Sequence, residues 1–374
     1  MSMQPPCEIR PTLRQENSSK AWMTQVVTSL LFCLMSGAAF SQADSPKSPL
    51  FATDELLEIR LSGDTRTLMN DRKQDAPYYP LTINFQDQDK SYKVPLKVRT
   101  RGHFRLDPAN CGYPPLLLNF SKKNDLPAPF TGQDKIKLVT PCKADKYVIH
   151  EYLVYKLYNL VTPKSLKARL TKVVFEDTVR GKATDPLYGI LLEDDDEMAG
   201  RNGAFVSKKK TIRPESTQRS DFLKMAVFEY LIGNTDWSVQ YLQNVELIMS
   251  DSLAIPSTVA YDFDHAGIVR APYAKPAPEL QMSSTLLRRY RGFCMEDMSG
   301  FAEVFALFNQ LKDSIYGIYT SNKLLDEKYV KSTIKFLDEF YVTINDPVKA
   351  KKEFMYPCDK SGTGNVVIKG LRQD

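Results

Sequence analysis

Residues 135–161 read KIKLVTPCKADKYVIHEYLVYKLYNLV, and the spacing of the apolar side chains changes within this stretch. Residues 135–138 alternate between lysine and apolar side chains, which is typical of a half-buried strand. From Tyr147 to Leu160 the apolar side chains fall close to helical spacing, and Thr162-Pro163 ends the predicted helix. The stretch therefore marks the place where a strand-rich region gives way to a helical one.

The rest of the chain follows the same division. Short alternating segments precede the change, and clusters of Gly, Pro and Asn separate them. Beyond it, helices with one apolar face dominate, and Gly233 is the expected C-terminal cap of one of them. Strands first and helices later indicate an α+β protein of two lobes, without internal repeats. The predicted strands are 56–61, 81–85, 94–101, 116–120, 135–139, 168–175, 187–192, 245–249 and 258–262, and later helices are 221–232, 301–319 and 329–342.

Composition places the chain among ordinary globular proteins. Of 374 residues, 43% are hydrophobic and 25% charged, which excludes a disordered tail protein, a collagen and a disulfide miniprotein. Fifty basic against 45 acidic residues leave a net charge of +5, too small and too mixed to favour nucleic acid as a partner. The three histidines lie far apart without cysteine at ligand spacing, which argues against a zinc centre.

The N-terminal region has the pattern of a secretory signal peptide. An apolar run at residues 26–40 follows Arg10, Arg14 and Lys20, and it is shorter than the roughly 20 residues that a membrane-spanning helix needs. We predict a signal peptide at residues 1–41 and a linker at 42–52. The protein is then exported to the periplasm or the cell exterior, with no stable membrane span after cleavage. The alternative is an uncleaved anchor.

Export makes disulfides favourable. Removal of the leader leaves four cysteines, an even number that suggests two disulfides in an exported protein. We prefer to pair Cys111 with Cys142 and Cys294 with Cys358, because each pair joins segments of one predicted lobe. Four reduced thiols are the better interpretation if the leader prediction is wrong.

Two segments carry the clearest candidate site: IGNTDWS at residues 232–238 and VAYDFDHAG at residues 259–267. The first segment places Asp236 in a loop just after a helix, and the second places two carboxylates at the end of a strand. Between them, Asn244 opens another strand. Each piece alone is typical of turns and helix caps, so the order and short separation carry the prediction.

This arrangement suits phosphoryl transfer, which needs one carboxylate to accept the proton of the attacking hydroxyl and oxygen ligands for magnesium on the phosphates. Asp236 is the candidate base. Asn244, Asp262 and Asp264 are the candidate metal ligands.

The same residues carry a resemblance to a known family. Asn-Thr-Asp-Trp and Tyr-Asp-Phe-Asp are similar to the catalytic loop and metal-binding segment of the CotH (spore coat protein H) kinase-like family, and more distantly of HipA-type atypical kinases. Upstream, VRTRG at 98–102 and YGILLE at 188–193 resemble that family's Arg-Gly strand turn and its strand leading into the interlobe hinge.

The resemblance implies a two-lobed atypical protein-kinase-like fold with ATP and Mg²⁺ (or Mn²⁺) between the lobes. Residues 53–193 then form a β-rich N-lobe, and residues 194–374 form a mainly helical C-lobe with the catalytic and metal segments. Asp236 takes the role of the base and Asp262 that of a metal ligand.

The resemblance also implies residues that bind the nucleotide. The lysine that holds the phosphates is missing from strand 116–120, which leaves Lys97, Arg101 and Lys137 as candidates, with Lys137 preferred. Glu151, on the first helix, is the expected partner of whichever cation reaches it, and Glu193 ends the strand that leads into the hinge. The loop after Asp236 is longer than in kinases, so either Gln240 or Asn244 supplies the amide ligand, or neither does.

Three functions compete. The first is an exported atypical kinase that moves the γ-phosphate of ATP to a hydroxyl of a protein substrate. The second is a non-catalytic, pseudokinase-like module that binds an envelope or surface protein, which the missing lysine favours. The third is a hydrolase that uses paired carboxylates. ATP is scarce outside the cytoplasm, so the first needs a compartment that supplies nucleotide or a different phosphoryl donor.

Overall fold

The computed structural model describes residues 49–120 and 125–367. The predicted signal peptide at 1–41 and residues 42–48 of the predicted linker lie outside the described residues. The end of that linker segment is packed, because Leu50 is fully buried against the core of the strand-rich region.

The N-terminal part is built around one large sheet. Seven strands follow one another around the sheet in the order β1-β2-β3-β4-β5-β8-β6, and a short strand, β7, pairs with the end of β6. A short helix, α1, follows β1, and a longer one, α2, lies between β5 and β6. The bounds are β1 Leu57–Gly63, α1 Thr65–Asn70, β2 Tyr79–Asp87, β3 Lys90–Thr100, β4 Leu116–Phe120, β5 Lys135–Val139, α2 Asp145–Val161, β6 Ala168–Asp177, β7 Lys182–Ala183 and β8 Leu187–Leu192.

This sheet is closed. β1 pairs with β6 in parallel over its whole length, from Leu57 opposite Thr171 to Gly63 opposite Asp177, while the other neighbouring strands are antiparallel. The prediction of a two-lobed kinase-like fold with a β-rich N-lobe is therefore wrong: the N-terminal part is a closed, barrel-like sheet of seven strands. Closure satisfies the backbone hydrogen bonds of what are otherwise two edge strands.

The alternation of side chains gives the closed sheet its core. In β1, buried and exposed residues alternate from Leu57 to Leu61, as expected for a strand with one face inside. β8 is apolar on both faces, because Leu191 belongs to the core of the closed sheet while Ile190 and Leu192 pack on the helices outside. The core of the closed sheet includes Ile59, Leu61, Ile83, Leu96, Val98, Leu116, Leu118, Ile136, Leu138 and Val173.

The C-terminal part is mainly helical, with a small antiparallel sheet of β9, β10 and β11. α2 packs against β6 and β8 on one side and against α5 on another, so it joins the closed sheet to the helical part. One continuous apolar core runs through these contacts. The bounds are α3 Asp195–Arg201, β9 Phe205–Val206, α4 Arg219–Ile232, β10 Val245–Met249, β11 Ser257–Ala260, α5 Ala302–Thr320, α6 Glu327–Ile344 and α7 Pro347–Phe354.

Two predicted details of the chain are confirmed. Disulfides join Cys111 to Cys142 and Cys294 to Cys358, the preferred pairing, and they fit an exported protein. Gly233 caps α4 in the left-handed conformation, with a φ of 69°. Within the described residues, no helix is both long enough and apolar enough to cross a membrane.

Candidate functional site

The predicted site residues come from elements that meet where the closed sheet joins the helical part. The loop that follows α4 and the loop that follows β11 run side by side: Gly267 N donates to Gly233 O at 3.1 Å, and Ile268 N donates to Ile232 O at 3.0 Å. A side chain at Gly267 would collide with the carbonyl oxygen of Thr285, so this close approach requires glycine. The two candidate motifs are thus neighbours in space.

A buried arginine lies at the centre of the site. Arg105 follows β3 in a short 3₁₀ turn, Phe104–Leu106, and its Nη2 lies 2.9 Å from Oε2 of Glu151 on α2. The same Nη2 lies 2.8 Å from Oδ2 of Asp264, which also accepts a hydrogen bond from Nε at 3.0 Å. All three side chains are buried. One cation therefore holds two carboxylates from α2 and from the loop after β11.

The two carboxylates differ in their electrostatics. Burial raises the pKa of Glu151, and the Arg105 charge does not offset this effect. Burial also acts on Asp264, but the charges of Arg105 and His265 outweigh it and lower the pKa of that carboxyl. Asp264 is consequently the ionised partner of Arg105, while Glu151 is the one that takes up a proton more readily.

Asp236 is half-buried and held by two amides. Gln243 Nε2 donates to its Oδ1, and Asn244 Nδ2 donates to its Oδ2 at 3.2 Å and to its main-chain oxygen at 2.7 Å. Asn234 Oδ1 accepts a hydrogen bond from the main-chain nitrogen of Asp236 at 3.0 Å. These contacts fix the carboxylate of Asp236 in one orientation.

Arg291 fixes the main chain on both sides of Asp236. Its Nη1 donates to the carbonyl oxygens of Thr235 at 2.6 Å and Trp237 at 2.9 Å. Burial lowers the pKa of Arg291 to about 10, so the guanidinium stays charged at neutral pH. Cys294, three residues beyond Arg291, is bonded to Cys358 and anchors this segment.

The environment of Asp236 raises the pKa of its carboxyl above the ordinary value. Burial raises the pKa of Asp236, and the charge of Asp264 raises it further, while the charges of His265 and Arg291 act in the opposite direction. A carboxylate with a raised pKa is a stronger acceptor for the proton of a hydroxyl. Asp236 thus has the electrostatics expected of a general base.

Asp262 offers a carboxylate that the protein itself does not use. Its main chain is in the left-handed region, with a φ of 61°, and its N–H donates to the hydroxyl of Tyr155 on α2 at 3.0 Å. The side chain is exposed and makes no hydrogen bond or ion pair with any described residue. Protein atoms around it, together with the charge of Asp264, raise its pKa to about 6. Strained backbone of this kind is typical of functional sites.

The predicted nucleotide-binding residues fall into two groups. Arg101 is near Asp262, whose pKa its charge lowers, and its guanidinium is unpaired within the described residues. Lys137 lies on the outer face of β5 and is paired with Asp195 at 2.6 Å, 5.7 Å above the ring of Tyr261. Both are therefore close to the segment that contains Asp262.

The remaining two predicted residues have internal partners. Glu151 pairs with none of the three cations expected from the sequence, because Arg105 occupies its carboxylate. Glu193 binds Arg201 at 2.8 Å and accepts the main-chain N–H of Lys167 at 2.9 Å. These contacts connect β8 to α3 and give Glu193 a structural role here.

The candidate metal ligands are only partly free. The described residues contain no group of three or more His, Cys, Asp or Glu side chains that is placed to hold a metal ion. Oδ2 of Asp264 is bound by Arg105, and Nδ2 of Asn244 donates to Asp236, which leaves the oxygen of that amide as the atom that could ligate a metal. Asp262 is the candidate whose carboxylate is free, and one free carboxylate fits the usual mode of Mg²⁺, which is held by one or two carboxylates together with substrate phosphates.

Two contributors to the site were not predicted from the sequence: Arg105 and Gln243. The candidate cations Lys97, Arg101 and Lys137 lie on predicted strands, whereas Arg105 lies in the turn just beyond β3. A basic side chain so close to Arg101 was the available signal. No local sequence pattern indicates Gln243, since its contact with Asp236 depends on the path of the loop between Asp236 and β10.

Comparison of the sequence with protein-family models gives no match, and comparison with curated proteins gives no significant match.

Proposed function

We propose that this protein is a phosphotransferase that moves the γ-phosphate of ATP to a hydroxyl group of a protein, with Asp236 as the base and Asp262 as the ligand of the nucleotide-bound Mg²⁺ or Mn²⁺. The observation that carries the proposal is the proximity of an oriented carboxylate, Asp236, to an unpartnered one, Asp262, whose pKa the charge of Asp236 raises. Because the fold differs from that of two-lobed kinases, the proposal rests on the residues of the site.

The orientation of Asp236 supports its role as base. A general base has to hold its carboxylate toward the hydroxyl proton, and the amides of Gln243 and Asn244 prevent the side chain from rotating. The raised pKa of Asp236 makes proton acceptance more favourable. Arg291 adds rigidity to the loop, so that the carboxylate keeps its place when a substrate binds.

The residues around Asp262 support binding of phosphates and their metal ion. Its exposed carboxylate has no partner among the described residues, and the unpaired guanidinium of Arg101 provides a positive charge nearby. A guanidinium suits phosphate oxygens because it donates two parallel hydrogen bonds. The metal ion offsets phosphate charge during transfer and arrives with the nucleotide.

A second function, a non-catalytic module that binds a surface or envelope protein, is favoured by one observation. Both carboxylate oxygens of Asp236 already accept hydrogen bonds, and Asp264 is neutralised by Arg105. A site with these internal contacts is stable without substrate.

Transfer from radiolabelled ATP tests the proposal. The oxidised full chain is incubated with [γ-³²P]ATP and MgCl₂ or MnCl₂, and incorporation into the protein itself and into a peptide library is measured. Asp236→Asn should lower incorporation by about 10²-fold or more, since removing a general base has an effect of that size. It should still bind the nucleotide.

Asp185→Asn is the matched control, because Asp185 is exposed and has no partner within the described residues. It should transfer phosphate at the rate of the unmodified protein. Nucleotide binding without any transfer, equal in all three proteins, favours the binding module. Transfer that Asp236→Asn leaves unchanged contradicts the assignment of the base.

A further inference from the structure

A cavity of about 320 Å³ opens directly beside the loop that carries Asp236. It is not part of the site around Asp262 and Arg105, and its walls come from four separate segments of the chain. The lining includes Arg213, Glu215, Trp237, Phe293, Val366 and Val367. Three lining residues, Trp237, Ser238 and Val239, directly follow Asp236 in the chain, so the cavity is formed partly by the loop of the proposed base.

The walls of the cavity are not suited to phosphates. Arg291 is one of its two cations, and the carbonyl oxygens of Thr235, Trp237 and Val366 already accept hydrogen bonds from it. The other cation, Arg213, is exposed at the rim. The remaining wall has polar and apolar surface in similar amounts, and Phe293 and Val366 are half-buried apolar side chains in it. The volume is at the low end for ligand pockets, which is small for a nucleotide.

The rim indicates the class of ligand. Arg213 and Glu215 are exposed, lie two residues apart and make no ion pair with any described residue. Opposite charges give the rim no net charge, so it selects against polyanions such as nucleic acid or an anionic lipid surface. A polypeptide supplies side chains of both signs together with an apolar group for the interior. Protein–protein contacts commonly have this combination of an apolar centre and a polar rim.

We infer that this cavity receives an apolar side chain of the acceptor polypeptide, next to the residue whose hydroxyl reaches Asp236. The inference rests on the proposed function and deepens it. It assigns the preference for one acceptor sequence over another to a pocket formed by Trp237, Phe293 and Val366. Contact with these three apolar side chains provides affinity, while Asp236, which precedes Trp237 in the chain, selects the hydroxyl.

The protein contains its own reporter for this cavity. Only two tryptophans are present, Trp22 and Trp237, so Trp22→Phe leaves a single tryptophan in the cavity wall. The oxidised full chain with this change is titrated, without nucleotide, with short peptides that contain one Lys, one Glu and one Ser. The peptides differ only beside the Ser, where they carry Phe, Ala or Glu. We expect the Phe peptide to shift the Trp237 emission and to bind at least tenfold more tightly than the others.

Val367 provides a variant that tests the cavity wall without disturbing the core, because it is 50% exposed. Val367→Glu should weaken binding of the Phe peptide about tenfold, since a charge in an apolar contact is costly. Val179→Glu is the matched control, as Val179 is 67% exposed and does not line the cavity. It should leave the affinity unchanged.

Equal affinity for the Phe and Ala peptides, an unaltered Val367→Glu variant, or an emission spectrum that no peptide changes would each overturn the inference. Free phenylalanine that binds as tightly as the Phe peptide would also overturn it, because the rest of the peptide would then contribute nothing to binding. Since no nucleotide is present, peptide binding holds or fails independently of phosphoryl transfer. A chain that binds the peptide and transfers nothing disproves the proposed function alone.

Discussion

Arg105 and Glu151 form an ion pair in the protein interior, with Nη2 2.9 Å from Oε2, although one follows a strand of the closed sheet and the other lies on α2. Asp264 shares the same guanidinium. The pair therefore connects the closed sheet, the first long helix and the segment that bears Asp262, and the geometry of the candidate site depends on it.

Replacement of Arg105 by methionine should destabilise the protein strongly. The change leaves Glu151 and Asp264 buried without a cation, and loss of one partner of a buried ion pair costs about 3–5 kcal/mol. Urea unfolding followed by circular dichroism measures the change. Arg60→Met is the control, because Arg60 and Glu176 form an exposed pair worth about 1 kcal/mol or less. Equal losses in the two variants would show that the Arg105 network is not a structural centre.

Stability should fall between neutral and acidic pH because of His150. The ring is buried, stacks on Tyr329 with 3.5 Å between ring centroids and lies 2.9 Å from Val269 O through Nδ1. Burial lowers its pKa from 6.5 to about 4. Because the pKa is lower in the folded protein than in the unfolded chain, the neutral ring stabilises the fold. This stabilisation is fully present above pH 6.5 and is lost as the pH falls toward 4.

His150→Gln tests this pH dependence. The slope from one such group is at most about 1.4 kcal/mol per pH unit. Thermal midpoints of the variant and the unmodified protein, measured at several values between pH 7 and pH 4, should converge as the pH falls. Parallel curves over the whole range would show that His150 is not the group responsible.

The disulfide between Cys294 and Cys358 should stabilise the surroundings of Asp236. It lies three residues beyond Arg291 in the chain and ties the C-terminal segment, whose Val366 O accepts a hydrogen bond from Arg291, to the same loop. The bonded cysteines are 64 residues apart, so replacing both by serine should cost about 4 kcal/mol in the chain-entropy estimate.

Hydrogen exchange provides the measurement. In the double serine variant, protection of residues 235–240 should decrease, whereas removal of the Cys111–Cys142 bond should leave that segment protected. Loss of protection in both variants would indicate general loosening of the protein and not a local connection to Asp236.

Arg291→Met should impair the proposed reaction more than it impairs nucleotide binding. The variant loses the donors to the carbonyl oxygens of Thr235 and Trp237, and a base displaced by a fraction of an ångström loses about 10–100-fold in kcat. Arg291→Lys should restore part of the rate, because an ammonium group reaches one of the two carbonyls. A rise in KM for ATP at constant kcat would place Arg291 in nucleotide binding instead.

Local sequence signals predicted most of the secondary structure. The predicted bounds of β4, β5, β8 and β10 agree with the structure, because each strand is short, alternating or apolar and is flanked by turn residues. The short helices α1 and α7 were not predicted, although Asp64 and Asp346 are N-caps of the expected type. Helices of one or two turns contain too few apolar positions for a period to be visible.

Closure of the sheet was not predictable from these signals. Alternation of apolar and polar side chains indicates which face of a strand is buried, but it does not indicate which two strands pair. β1 and β6 are separated by more than a hundred residues, and their pairing depends on the twist of the whole sheet. Alternation likewise does not show that Arg105, in the turn after β3, reaches Glu151 on α2.

The most direct test of the central claim, that Asp262 and its neighbours bind a metal-bound nucleotide, is a thermal-shift titration of the oxidised protein. ATP is added with Mg²⁺ or Mn²⁺ to the unmodified chain, to Asp262→Asn and to the control Asp185→Asn. We predict a metal-dependent rise in Tm of about 5 °C at saturating ligand, because binding to the folded state alone stabilises it. Asp185→Asn should retain the rise and Asp262→Asn should lose it. A folded protein whose Tm responds to no nucleotide and no metal, or an equal rise in all three proteins, would contradict the claim.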